Sequence, residues 1–162
     1  MASVRIYPTL LLLACLGALG AALTTQYGFG LKPCVLCIYQ RIPYVIAALL
    51  AAIALSPKVS ARTKLLLIAL CGTAFAVDSA IAVFHVGVEH HWWEGLAACV
   101  GGGPQAQSVD ALKAMLAGPP PVPCDQVPWS LFGISMAGYN AMFALGLAGF
   151  SGWSVRRLKE QG

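Results

Sequence analysis

Lys32-Pro33-Cys34-Val35-Leu36-Cys37-Ile38-Tyr39-Gln40-Arg41 sits where one apolar run ends and the next begins. A Cys-x-x-Cys pair can close a small, strained disulfide that is easily reduced and re-formed. Cys37 is expected in the first turn of the following helix, where the partial positive charge favours a thiolate. Arg41, four residues on, shares a helical face with Cys37 and adds a fixed cation. The stretch reads as a redox-active dithiol with an anion-stabilising arginine, set at a membrane surface. Half of a zinc site and a structural disulfide are the bland alternatives, and the rest of the chain must weigh between them.

Outward from that stretch the composition is not that of a soluble protein. Apolar residues make up 59% of the 162 and charged residues only 10%, against about 25% charged in ordinary globular chains. The mean hydropathy is +0.76. Charges cluster between long apolar runs, the pattern of several membrane spans. A net charge of +4 is too small and scattered for a nucleic-acid footprint. There is no phosphate-cradling glycine loop and no base-stacking aromatic array. The expected fold is therefore all-α: a four-transmembrane-helix bundle forming a single integral membrane domain over residues 1–162, with membrane lipid as its surroundings.

The spans are expected at about residues 7–27, 38–55, 65–86 and 131–153, with outer loops at 28–37 and 89–130. Tyr7 and Tyr27 suit aromatic anchors for the first span. Its basic head, apolar core and Ala21-Ala22 also fit a cleaved signal peptide, but the run continues to Lys32 and exceeds a signal core. Pro43 falls in the first turns of the second span, where a missing N–H matters least. Lys58, Arg62 and Lys64 make a basic connector. The third span carries Asp78, a costly carboxyl that must be protonated, paired or turned inward. A hydrogen bond to Ser79, Thr73 or another helix is favoured over a proton-path role. His85 lies near the far end of that span.

The long polar segment opens with Glu89-His90-His91-Trp92-Trp93-Glu94. Its tryptophans suit an interfacial belt and a short helix lying on the membrane. Cys99 and Gly101-Gly102-Gly103-Pro104 follow, then a helical pattern from Ser108 to Leu116 with Ser108 as N-cap. A stiff strut from Gly118 to Pro123 leads to Cys124. With four spans, Arg5, Lys58, Arg62, Lys64, Arg156, Arg157 and Lys159 share one side. The other side holds Lys32, Lys113 and Arg41. The basic excess makes the first side, with both termini, cytoplasmic. Cys34, Cys37, Cys99 and Cys124 then all face the oxidising side, while Cys15 and Cys71 lie within spans as small apolar packing groups.

Two cysteine pairs on one oxidising face suit more than staples. A thiolate attacks a disulfide through a mixed disulfide, so a mobile loop pair and a fixed pair can hand electrons on in sequence. The fixed pair lies at the membrane surface, and a lipid-soluble quinone fits that place and takes two electrons.

The motif from Lys32 to Arg41 resembles the signature of the disulfide bond formation protein DsbB family. The resemblance extends to the four-helix layout, the Gly87-Val88-Glu89, Trp92-Trp93 and Cys99 stretch, and the segment from Cys124-Asp125 to Leu131-Phe132-Gly133. It implies an enzyme of the bacterial inner membrane, a quinone-dependent thiol-disulfide oxidoreductase. Such an enzyme re-oxidises a periplasmic DsbA-like thiol oxidase and reduces ubiquinone or menaquinone. By the same resemblance Cys99 takes the attack of reduced DsbA. Released Cys124 then attacks Cys34 to give a Cys34–Cys124 bridge, and Cys37 becomes the thiolate facing the quinone. Arg41 assists there, and His85 matches a histidine near the quinone, with His90 and His91 as competitors. The family often carries an acid where this chain has Gln40.

The alternatives are a DsbB paralogue with a dedicated partner and a non-enzymatic membrane protein with two structural disulfides. A protein similar to vitamin K epoxide reductase would place its loop cysteines before the Cys-x-x-Cys, the reverse of the order here. A metal protein using Cys34, Cys37 and the His90-His91 pair is disfavoured, because zinc wants four tetrahedral ligands and no second Cys-x-x-Cys exists.

Overall fold

A computed structural model describes residues 3–97, 99, 108–109 and 122–160. The expected helix from Ser108 to Leu116, apart from Ser108 and Val109, the glycine segment 101–104 and most of the strut at 118–123 lie outside the described residues. The elements are α1 (Ser3–Leu23), continued by a π turn (Thr24–Gly28), then α2 (Val35–Tyr39), α3 (Arg41–Leu55) and α4 (Ala61–Glu89). A two-stranded hairpin, β1 (Ser130–Leu131) and β2 (Ile134–Ser135), precedes α5 (Met136–Glu160).

The helices pack inside out relative to a soluble bundle. Most buried positions on two of them are small: Ala47, Ala51 and Ala54 on α3, and Ala137, Ala141, Ala144, Ser151 and Ser154 on α5. Large apolar side chains such as Leu13, Leu49, Leu66 and Leu145 face outward. Lipid gives such residues no reason to turn inward, so small residues let the backbones approach and supply packing. A Cβ added to Gly72 would stand 3.0 Å from Ser151 Cβ, a measure of how closely α4 meets α5. One core joins all four long segments through Leu11, Cys15, Tyr44, Ala51, Ile68, Cys71, Phe75 and Leu158. Cys15 and Cys71 are packing groups in it.

By length and composition Arg5–Gly28, Val35–Leu55 and Ala61–Glu89 can each cross a membrane. Where the fourth span is expected, α5 forms, starting five residues later than residue 131, but it is not among the helices apolar enough to cross by that measure. Gly133 and Phe132 have φ of 78° and 50°, the pair of left-handed residues that closes a two-residue hairpin turn. Ser135 then caps the helix, its Oγ accepting from the Gly138 N–H at 3.1 Å. Asn140, Ser151, Ser154 and several glycines make α5 less apolar than the other three.

Two terminations position the site. The helix expected from residue 38 is broken at Gln40: Pro43 offers no N–H to the Tyr39 carbonyl and its ring crowds that carbonyl. The break buries the Gln40 side chain. At the end of α4, Trp92 N–H donates to the Gly87 carbonyl at 2.8 Å and His91 N–H to that of Val88 at 3.1 Å. With His91 at φ 56°, this is a Schellman stop. It replaces the short surface helix expected at Glu89–Glu94. Trp93 folds back onto α4 instead, donating from Nε1 to the Phe84 carbonyl at 2.9 Å. Only glycine fits beneath that indole, since a Cβ on Gly87 would lie 1.9 Å from it.

Candidate functional site

Cys34 is the N-cap of α2 in extended conformation, and its Sγ accepts the Cys37 N–H at 3.3 Å. The two sulfurs are 2.9 Å apart and unbonded. The helix-end donor expected to favour a Cys37 thiolate is therefore spent on Cys34. The hydrogen bond shared with the Cys37 thiol holds the Cys34 thiol well below its ordinary range, against the opposing effect of burial, with His85 adding a further hydrogen bond.

Of the three histidines only His85 reaches the dithiol, with Nε2 3.5 Å from Cys34 Sγ. His90 stacks on Trp92 at the exposed end of α4, and His91 faces Asp125 at 3.9 Å. Cys34, Cys37 and His85 present ligand-type atoms within 4.8 Å of one another, one short of a tetrahedral zinc set.

Cys99 and Cys124 are joined as a disulfide with Cα atoms 5.0 Å apart. Both are buried, and they share one apolar cluster with Cys34, Leu36 and Val88. The inner dithiol and the loop disulfide are thus brought together from segments about 65 to 90 residues apart in sequence, far enough that only the folded bundle can join them.

Beside the dithiol is a cavity of 420 Å³. Gly17, Ala18, Ala21 and Ala22 of α1 line one wall and leave the room. Cys34, Cys37, Gln40, Arg41, His85 and Asn140 supply the polar part. Arg41 donates from Nη1 to Gln26 Oε1 at 2.6 Å and from Nη2 to the Ala22 carbonyl at 3.5 Å. A mostly apolar hollow with a few convergent polar groups is the usual form of a small-molecule site.

Residues to which no motif assigned a site role complete the site. Gln40 bridges His85 Nδ1 at 3.0 Å and Asn140 Nδ2 at 2.8 Å. Asn140 Nδ2 also donates to Asp78 Oδ2 at 3.0 Å, and Tyr44 OH donates to Asn140 Oδ1 at 2.7 Å. Asp78 is thus bonded to another helix, whereas Ser79 and Thr73 bond the carbonyls of Ala141 and Ala69. Glu89 is buried beside His85 and accepts from Ser135 Oγ.

A model of the family described as disulfide bond formation protein DsbB matches residues 4–154. The chain belongs to the DsbB family. It is 36% identical over 156 residues to disulfide bond formation protein B of Methylococcus capsulatus, covering 90% of this chain and 92% of the relative. The protein of the same name from Chromohalobacter salexigens is 33% identical, with 90% of each chain covered. That of Xanthomonas axonopodis pv. citri is 31% identical, covering 90% and 88%. No solved structure matches the chain. Membership in the DsbB family assigns the chain to disulfide bond formation, a thiol-disulfide oxidoreduction. A cysteine pair 2.9 Å apart in a hydrogen-bonded, cavity-lining position is the chemistry that assignment needs.

Proposed function

We propose that the protein re-oxidises a periplasmic DsbA-like thiol oxidase and passes the electrons to a membrane quinone. The observation that carries this is the packing of Cys34 with Cys99 and Cys124 in one buried cluster, next to an apolar cavity with Arg41 and His85 in its wall. In the first step the partner's thiolate attacks Cys99 Sγ. A mixed disulfide forms and Cys124 leaves as a thiolate. Cys124 attacks Cys34 of an oxidised Cys34–Cys37 pair, forming Cys34–Cys124 and releasing Cys37 as a thiolate. The partner's second thiol resolves the mixed disulfide, so the partner leaves oxidised and Cys99 leaves reduced. A quinone, when bound, takes up two electrons and two protons and so restores both disulfides. Ubiquinone and menaquinone both fit that chemistry.

The residues present suit such a group. Small side chains of α1 leave an apolar slot, and Arg41 places a fixed cation at its polar end for developing negative charge. His85 and Gln40 offer hydrogen bonds there. Because Cys99 is buried against Val88 and Gly95, attack requires the segment carrying it to lift. The proposed placement is four spans in the inner membrane, with both termini cytoplasmic and residues 89–130 periplasmic. The basic ends of the helices support it.

A Cys124→Ala variant, mixed with the reduced partner, should accumulate a disulfide between Cys99 and the partner on non-reducing gels. Trapping on Cys34 or Cys37 instead would reverse the proposed order. No trapped species at all would favour two structural disulfides.

A further inference from the structure

We propose that Asp78, although it does not line the cavity, fixes the ring tautomer of His85 through the amides of Asn140 and Gln40, so that an N–H faces Cys34. The proposal deepens the reading of Cys34 as the more readily ionised thiol of the reduced inner pair and rests on the redox role proposed for that pair. Each link follows from what the previous group can donate or accept. Asp78 Oδ2 is an acceptor, so the Asn140 atom 3.0 Å away is its amide nitrogen. Tyr44 OH, donating to Asn140 Oδ1, holds the same orientation from the other side. Asn140 Nδ2 has a second hydrogen, and it goes to Gln40 at 2.8 Å, so that atom is Gln40 Oε1. Gln40 must then turn Nε2 to His85 Nδ1 at 3.0 Å. A ring that accepts at Nδ1 carries its proton on Nε2, and Nε2 is the atom 3.5 Å from Cys34 Sγ.

The chain links α4, α5 and the break between α2 and α3, and Asp78, Gln40 and His85 are all buried. Buried polar groups of this kind are costly unless satisfied, and a connected row specifies one arrangement. Without the carboxyl, Asn140 keeps only the Tyr44 hydroxyl, which can accept from an amide nitrogen as readily as it donates to an amide oxygen, so both amides can turn over together. Gln40 would then offer its oxygen to Nδ1, move the ring proton there, and leave Cys34 facing a lone pair. Asp78 is therefore a positioning residue. The other charged or titratable groups at the cavity are Lys32, Cys37, Arg41, Glu89, Tyr44 and Tyr139. Glu89 Oε1 lies 3.9 Å from His85 Nε2 and favours a proton on that same nitrogen; none of the six contacts His85 Nδ1, so among the described residues the chain alone sets the partner there.

The test is the pH profile of Cys34 alkylation by iodoacetamide in the reduced, full-length protein in detergent, read on the Cys34 peptide by mass spectrometry. It needs neither partner nor quinone. Asp78→Leu should move the midpoint upward by roughly one pH unit, the size of one lost hydrogen bond to a charged acceptor. Asp78→Asn, whose amide oxygen can still accept from Asn140, should keep the wild-type midpoint. Gln40→Met cuts the chain at its other end and should give the same upward shift, which keeps the test open should Asp78→Leu fail to fold. The double variant should shift no further than either single one. An unchanged midpoint in the severed variants, an equal shift in Asp78→Asn, or additive shifts in the double would overturn the proposal. A wild-type midpoint in the ordinary thiol range would instead overturn the reading of Cys34 itself.

Discussion

The bundle holds two sets of free cysteines, and they sit in opposite environments. Cys15 and Cys71 lie in the apolar core among Leu11, Ala47, Ile68 and Phe75, where the Cys71 thiol meets only the Ala47 carbonyl at 3.5 Å. Cys34 and Cys37 lie at a helix start, with a backbone N–H, an imidazole and a cavity around them. The residue type is the same in both. Donors, charge and access suit one pair to the proposed redox role and leave the other as packing material. The two ends of the bundle follow the same division: small apolar contacts close one end, and hydrogen-bonded polar side chains build the other.

Arg41→Gln should show the largest effect at the polar end. It removes the cation but keeps much of the stem. Quinone reduction should slow by roughly 10²–10³-fold, the usual loss for one charge-assisted contact to a developing anion. Thiol exchange with the partner should be unchanged, and Arg41→Lys should rescue only in part, because an ammonium lacks the planar fork. Steady-state rates at several quinone concentrations would measure this. Equal kinetics for Arg41→Gln and wild type would reduce Arg41 to an interfacial anchor.

A smaller effect separates the two ends by location. Gly87→Ala and Ala51→Leu both overfill a tight contact and should each cost about 1–3 kcal/mol in stability. Only Gly87→Ala, which pushes Trp93 off α4 beside the Cys34–Cys99–Cys124 cluster, should also raise the rate at which the Cys99–Cys124 disulfide is reduced. Thermal unfolding in detergent and the rate of reduction by dithiothreitol would give both numbers. Faster reduction in Ala51→Leu would show that the ends are not independent.

The Cys34–Cys37 pairing, the placing of Arg41 beside it and the helical character were legible because they carry local signals: a Cys-x-x-Cys spacing, an i+4 relation and long uncharged runs. His85 was named, but only the fold separates it from His90 and His91. Gln40 and Asn140 could not be read as partners, since they are 100 residues apart and each is an ordinary amide. Gln26 beside Arg41 was hidden for the same reason. The late start of α5 did have a signal in Phe132-Gly133, which the apolar run from Leu131 onward obscured. Trp92 and Trp93 looked like belt residues, and the glycine that receives Trp93 lies six positions earlier in what reads as continuous helix.

In the proposed cycle electrons pass from a soluble dithiol through the polar end of the bundle to a quinone. The most direct measurement follows quinone absorbance and partner thiols together, with purified protein and reduced DsbA-like partner. One quinone should be reduced for each partner dithiol oxidised, since each transfer carries two electrons. That coupling should vanish in Cys34→Ser and persist in Cys71→Ala. Partner oxidation without quinone loss, or quinone reduction that survives Cys34→Ser, would contradict the account.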